Sequence, residues 1–315
     1  MNSKKSNTGA KRTFLKIDST NAKKKKECPG CKCENFEINT NLPKIVNSKF
    51  YEITYDIDIQ IMRCNDCGLY FKSHSVDHDV DKVIYASFNI NKGKRWAKKI
   101  PKRFINELEI VNDCDRVLEI GPGETPVSAY FSKPNFYSLE MDPQHIPNDP
   151  SPEKRQFQGL IDKDISEVID ERFDAILAFD LFEHVEDVEK MFENLYTLLR
   201  PGGLVVFETG NCQSRPASVL KGNWKYYNIP EHRVFFGKET VLSMSRRNNF
   251  TPVKISYTRH KSVRSMTGFI RKSLATLKYL SFKRNLFSND NNSLFIGPEF
   301  PFFKDHMLCI LRKQS

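Results

Sequence analysis

Nowhere in its 315 residues does the chain hold an uninterrupted apolar run near the roughly 20 residues that cross a bilayer. With a mean hydropathy of −0.53, no membrane-spanning helix is expected. The N-terminus has basic residues but neither an apolar block nor a small-residue cleavage site, so it does not read as a secretory leader, and the cytoplasm is the expected compartment. Internal repeats are also missing. Residues 1–27 have few large apolar side chains and are expected to be a disordered basic tail. Acids are absent from residues 254–288, which carry nine Lys and Arg, and residues 1–27 carry nine more against only Asp18 and Glu27. The net charge of +10 therefore sits in two blocks and leaves the rest of the chain mildly acidic. Such blocks suit an anionic partner, whether nucleic acid, anionic lipid or a phosphorylated substrate; solvated lysine-rich surface is the plainer alternative.

Cysteine is present in a pattern. Four of the eight form Cys28-Pro-Gly-Cys31 and Cys64-Asn-Asp-Cys67, which in a reducing compartment hold metal more often than they form bridges. Each pair sets two thiolates on one tight turn, as tetrahedral zinc prefers. Cys28, Cys31, Cys64 and Cys67 are thus expected to bind a structural Zn2+, four thiolates leaving no open position for catalysis. Cys33, His74 and His78 lie close enough in sequence to compete. Between the pairs, the odd positions from Tyr51 to Ile61 are apolar, a strand period that predicts a hairpin joining the two turns. The expected organisation is a β-rich zinc module at 28–75, connecting helices at 76–113 that include Tyr85, a cofactor-binding α/β domain at 114–260, and a basic substrate-side insertion with a final strand at 261–315. A basic amphipathic helix is expected at 269–287 and a last strand at Met307–Leu311.

From Arg116 the pattern alternates strand and helix, as a βαβ array requires. Val117–Ile120, Phe136–Glu140, Phe173–Phe179 and Leu204–Phe207 read as strands. Apolar residues at helical spacing from Val185 to Leu199 predict a helix that Arg200-Pro-Gly-Gly203 stops. The first of these strands runs into Gly121-Pro-Gly123, the place where an open α/β sheet binds nucleotides. Glu140 ends the next strand, where a carboxylate can accept both ribose hydroxyls. A pyrophosphate fingerprint needs a third glycine, and this chain has Pro126 there. The turn is left to admit an adenosine and an amino-acid tail.

The segments VLEIGPG, YSLEMDP, FDAILAFDLFEHVED and LRPGGLVVFET, in this order over roughly residues 100–260, resemble the successive motifs of class I S-adenosylmethionine-dependent methyltransferases. The resemblance implies a Rossmann-like seven-stranded sheet preceded by the small β-rich zinc module. It implies S-adenosylmethionine as cofactor, with Glu119, Gly121 and Gly123 at the methionine tail, Glu140 at the ribose, Met141 at the adenine face, and Phe179 and Asp180 lining the cofactor beyond the fourth strand. The alternative for Glu119 is a structural cap of the loop, and for His184 a helix-start residue. The cysteine pairs and Trp224…Pro230-Glu231-His232…Phe235-Phe236 resemble a bacterial branch acting on small molecules, sugars among them. That implies a small acceptor, sugar-like or lipid-linked, with O-, N- and C-methylation all open, and the basic segment 254–288 adds the expectation that it is anionic, most simply phosphate-bearing. His232, beside Glu231, is the implied base and Tyr85 a further candidate, while Trp224–Tyr227 shape the pocket; otherwise Pro-Glu-His simply starts a helix. Two rival functions remain: an RNA methyltransferase gripping phosphates with its zinc module and basic segments, and a noncatalytic protein that binds the cofactor or touches a membrane surface through 269–287. No Asn-Pro-Pro-Tyr-like tetrapeptide follows the fourth strand, which counts against base-amine methylation.

Overall fold

Thr13-Phe-Leu-Lys-Ile17 alternates, and it folds as β1 (Thr13–Ile17), with Ile17 buried and Phe14 exposed. The computed structural model describes residues 13–47, 51–89, 107–123, 126–131, 135–141, 155–259 and 303–315, with positions 270, 273, 274 and 277. The strands that follow β1 are β2 (Ala22–Lys24), β3 (Phe36–Asn41), β4 (Ile45–Asn47), β5 (Tyr51–Tyr55), β6 (Gln60–Cys64), β7 (Tyr70–Lys72) and β8 (His74–Val76), leading into helix α1 (His78–Asn89). Because β1 and β2 lie within 1–27, the expectation of a disordered tail is corrected for residues 13–24. Lysines dominate the composition there, but Leu15 and Ile17 pack inward while β1 pairs in parallel with β5, Ile17 opposite Tyr55. The strand period from Tyr51 to Ile61 covers two strands in two different sheets. Asp56–Ile59 turn the chain out of the β1-β5-β4 sheet and into a second sheet that contains β6. Ile53, Tyr55, Ile59 and Ile61 all remain buried across that turn, so the period of two survives and conceals the break.

The main sheet is built from β9 (Arg116–Ile120), β10 (Asn135–Glu140), β11 (Gln156–Gln158), β12 (Phe173–Phe179), β13 (Leu199–Gly210), β15 (Phe250–Thr258) and β16 (His306–Lys313). Helix α2 (Val188–Leu198) leads into β13, and between β13 and β15 the chain forms α3 (Arg215–Leu220), β14 (Val234–Phe235) and α4 (Lys238–Arg247). Its order is β11-β10-β9-β12-β13-β16-β15. The first five strands are parallel, and β16 enters antiparallel between β13 and β15. This is a Rossmann-like, seven-stranded α/β sheet with a β-rich N-terminal region. Both faces are covered, as a parallel sheet demands. Leu118, Ile176, Val205 and Leu311 enter one apolar cluster, while Val117, Ala175, Val206 and Ile310 enter another.

The expected helix after Val185 is α2. Asp187 caps it by accepting from Lys190 N at 3.0 Å, and Val188, Met191, Phe192, Leu195 and Leu198 form its buried face. The last strand runs past its expected ends to His306–Lys313. Of the helix expected at 269–287, positions 270, 273, 274 and 277 are helical, with Ile270, Leu274 and Leu277 exposed; the rest lies outside the described residues. Among the described residues, no helix is long and apolar enough to cross a membrane.

The N-terminal strands are not a separate body. β14 adds to β7 as the edge of a sheet ordered β14-β7-β6-β3, with Val234 opposite Phe71 and Phe235 opposite Tyr70.

Candidate functional site

Strand β9 has β10 on one side and β12 on the other, so successive connections leave it in opposite directions and open a crevice at the carboxyl ends. Ile120 pairs with Leu139 and with Ala178, which puts Gly121, Glu140 and Phe179 at one level. Gly121 holds a left-handed φ of +63°, and its N–H donates to the Leu139 carbonyl at 2.8 Å. That φ favours glycine, and a Cβ there would also press on Leu181 Cδ1 at 2.5 Å. At Gly123, φ +55°, a Cβ would meet no described residue within 4 Å, so this stretch of backbone is open to a ligand.

Glu119 is buried beneath the turn. Its two carboxylate oxygens accept from Val127 N at 2.7 Å and Ser128 N at 3.2 Å, and burial pushes it up to about 7 against the pull of those two bonds. The loop-capping role weighed for it is therefore present. Glu140 is buried at the end of β10, where one oxygen accepts from Met141 N at 3.0 Å. Met141 is half-buried next to it. Asp180 follows Phe179 with a φ of +49°, its N–H donating to the Glu208 carbonyl at 3.1 Å. All seven residues expected at the cofactor thus gather along one edge.

Beyond the ends of β12 and β13 lies a buried polar cluster. His232 is 5% exposed. Its Nδ1 sits 3.1 Å from the Tyr226 carbonyl oxygen, which can only accept, so Nδ1 carries the proton and Nε2 the lone pair. Nε2 faces Glu183 Oε1 at 3.9 Å. Burial above all, then the charges of His184 and Lys72, holds His232 well below 6.5 and keeps it neutral. Glu183 is fully buried; burial and then the Asp180 charge push its carboxyl up to about 7. Thr209 Oγ1 donates to Glu183 Oε2 at 2.9 Å, and the Tyr226 hydroxyl accepts from Gly210 N at 2.8 Å. The His184 and His232 rings lie 4.8 Å apart, and the His306 ring is 5.1 Å from that of Tyr226.

The segment carrying His232 is pinned from both sides. Lys72 Nζ donates to the carbonyls of Ile229 and Pro230 at 2.7 and 3.1 Å, and burial lowers it to about 7. Arg233 pairs with Asp81 of α1 and with Glu186, while its N–H donates to the Glu183 carbonyl at 2.7 Å. Glu231 is buried beside His232. Pro230-Glu231-His232 leads into β14 and not into a helix, which corrects the alternative weighed for it. Trp224 and Tyr227 stack edge to face at 4.8 Å, and Tyr226 lies against His232 at 4.3 Å. Tyr85 belongs to α1, but its side chain lies outside the described residues. Glu183, Thr209 and His306 are not among the residues the sequence singles out; for Glu183 the available signal is a Phe-Glu-His triplet that begins three residues after the end of a buried strand.

The two cysteine turns meet. Cys28 and Cys67 sulfurs are 3.6 Å apart, those of Cys31 and Cys64 3.5 Å, and all four lie within 4.8 Å of one another. Pairing of β3 with β6, Phe36 opposite Cys64, closes the long gap between the turns. Gly30 N–H points at Cys28 Sγ and Cys67 N–H at Cys64 Sγ, each at 3.4 Å. Cys33 lies alongside, 3.3 Å from Cys64. His74 pairs with Ser73 on β8. The first turn also docks on the main sheet's helix layer, since the Pro29 carbonyl accepts from Val188 N at 2.9 Å and Glu189 N at 3.3 Å.

Residues 85–255 match the methyltransferase-domain family. No curated protein matches the chain. Among solved structures, a SAM-dependent methyltransferase from Archaeoglobus fulgidus is 15% identical, with 68% of this chain and 93% of that one covered at a TM-score of 0.43. The YcgJ protein from Bacillus subtilis is 16% identical, covering 68% and 99% at 0.46. The 1,6-didemethyltoxoflavin-N1-methyltransferase of Burkholderia thailandensis, solved with that molecule and S-adenosylhomocysteine, is 14% identical, covering 82% and 97% at 0.45. The family match spans more than half the chain and runs from α1 into β15, through every strand whose carboxyl end builds the crevice, and on it the chain belongs to the methyltransferase-domain family.

Proposed function

We propose that the chain transfers a methyl group from S-adenosylmethionine to a small, anionic acceptor, and that its N-terminal cysteines hold a structural zinc ion. The observation that carries the first part is Glu140, a buried carboxylate level with a left-handed glycine turn at the switch point of the sheet. A carboxylate at the end of this strand suits two ribose hydroxyls, and the open backbone at Gly123 suits the amino-acid tail. Glu119 acts on that tail through the loop it caps, because both its oxygens already serve Val127 and Ser128. Met141, Phe179 and Asp180 complete the adenosine side.

A sulfonium methyl group is already activated, so holding acceptor and donor in line supplies much of the rate. An acceptor hydroxyl or carbon must also lose a proton. His232 manages that proton: it is neutral, its Nδ1–H is tied to Tyr226, and its Nε2 lone pair is turned toward the crevice-side carboxylate of Glu183. Glu231 is assigned to the same pocket, and Tyr85 remains the further candidate for the base.

Zinc fits the cysteines by donor chemistry and by distance. Tetrahedral Zn–S bonds of about 2.3 Å put sulfurs about 3.8 Å apart, close to the 3.5 and 3.6 Å observed. Cys28, Cys31, Cys64 and Cys67 would hold the ion, whose contribution is to fix the two turns.

Calorimetric titration with S-adenosylmethionine tests the donor site. Glu140→Ala should weaken binding by about 2–4 kcal/mol through the loss of two charge-assisted ribose bonds, while His232→Ala leaves it unchanged. Unaltered affinity in Glu140→Ala, or binding of NAD by the native chain, would sink the assignment.

A further inference from the structure

We infer that Glu183, His184 and His232 form a second metal site, for a divalent transition cation, at the carboxyl edge of the sheet. One ligand atom from each lies within 4.8 Å of the others. Three features of the geometry point to a cation.

First, the tautomer of His232 is fixed with its lone pair inward, since Nδ1–H donates to the Tyr226 carbonyl. A metal-bound imidazole nearly always donates its second N–H to a carbonyl or carboxylate in this way. Second, that lone pair confronts another acceptor. Glu183 Oε1 is buried, has no hydrogen-bond partner among the described residues, and stands 3.9 Å from His232 Nε2. Two acceptors at that separation are too far apart to share a proton in a hydrogen bond, and a buried carboxylate oxygen without a donor is costly. A cation about 2.1 Å from each ligand would satisfy both; tetrahedral geometry at that bond length needs them about 3.4 Å apart, a closure of about 0.5 Å. Third, the frame is rigid around the gap. Glu183 Oε2 is held by Thr209, the Glu183 carbonyl by Arg233 N–H, and His184 N–H by the Leu181 carbonyl at 2.9 Å. The Asp180 carboxylate lies close enough to act on Glu183 and adds negative charge. The opposing ammonium of Lys72 directs two of its three donors to the carbonyls of Ile229 and Pro230.

Two imidazoles and one carboxylate suit Zn2+, Fe2+, Co2+ or Mn2+, and three protein ligands leave positions open. This distinguishes the site from the four-thiolate cluster, which is closed. The ligand class for the open positions is an oxygen donor: a hydroxyl, enol or carboxylate of a small molecule. A hydroxyl bound there would lose its proton to solvent near neutral pH; with the cation in place His232 would act on the acceptor as a ligand, its Nε2 no longer available to take the proton itself. The site itself needs only the geometry after β12 and goes beyond the methyl-transfer reading.

Titration of the zinc-loaded full-length chain with Mn2+, followed by electron paramagnetic resonance, tests it, because the hard ion avoids thiolates. One bound Mn2+ per chain is expected, weakened at least about tenfold in His232→Ala and in Glu183→Gln and unchanged in Cys33→Ser. Should the buried changes impair folding, the half-buried His184→Asn gives the same comparison with S-adenosylmethionine affinity as the check on integrity. The inference is overturned if the native chain takes up neither Mn2+ nor a second zinc, or if these variants bind as the native chain does. Loss of metal binding with donor affinity intact, or the reverse, separates failure of this site from failure of the methyl-donor reading.

Discussion

Glu119 links the cofactor turn to pH. Burial raises its pKa to about 7, above the 4.5 of a free glutamate, so the folded chain keeps a proton that the unfolded chain releases. Between those two values the native state binds more protons, and stability must fall as pH rises through the window from about 4.5 to about 7. The whole effect is at most about 3 kcal/mol, at 1.36 kcal/mol per unit. Glu119→Gln should flatten this slope in thermal melts recorded from pH 4.5 to 8. It should also lower stability at pH 5, by about 1 kcal/mol, because an amide oxygen can accept from Val127 but its NH2 meets the Ser128 N–H. A slope that persists in the variant would assign the proton to another group, Glu183 being the next with the same direction of shift.

At the level of elements, the cysteine turns and α2 are one unit. Pro29 caps the first two N–H groups of α2, and Lys32 Nζ pairs with the capping Asp187 at 2.7 Å. Fixing the turns thus fixes the entrance of a helix 160 residues further on in the chain. Elemental analysis of the native protein should give about one zinc ion per chain before any second site is loaded, and Cys64→Ser should remove it. The substitution should accelerate hydrogen exchange at Val188 and Glu189 as well as across β6 and β7, while β9 and β12 keep their protection. Unchanged exchange at Val188 would mean that α2 is capped independently of the metal. The same elements separate what the sequence disclosed from what it did not. β12 and β13 are legible because strands buried on both faces are continuous apolar runs, and α2 because its buried positions recur at helical spacing beside a capping aspartate. β1 escaped because five alternating residues are diluted by lysines whose charge sits outside the pattern, as Lys16 does in its exposed pair with Asp56. The glycine turn and Glu140 are local in sequence and so could be read; Glu183 meets His232 only through the return of the chain at 229–236, which no local pattern encodes.

That returning segment ties the whole molecule together. Residues 229–236 run between the N-terminal sheet and the carboxyl edge: β14 pairs with β7, Lys72 holds Ile229 and Pro230, and Arg233 joins Asp81 of α1 to Glu186 before α2. Asp81 is nearly enclosed, whereas Glu186 reaches solvent, so the two halves of this ion pair differ in weight. Removing the guanidinium leaves the Asp81 carboxylate buried and uncompensated, a loss of about 3–5 kcal/mol in a dry site and about 2–4 kcal/mol here, since one partner is half exposed. Arg233→Ala should therefore lower the melting temperature by several degrees, at about 2–4 °C per kcal/mol for a chain of this size. Arg233→Lys should recover only part of it, because one ammonium cannot serve two carboxylates on opposite sides as a guanidinium does. The contrast with Glu186→Gln decides whether the segment is a clamp: that variant keeps the buried pair and should cost under about 1 kcal/mol. Equal destabilisation by Arg233→Ala and Glu186→Gln would show that the exposed arm carries the load and that α1 is held to the main sheet by other means.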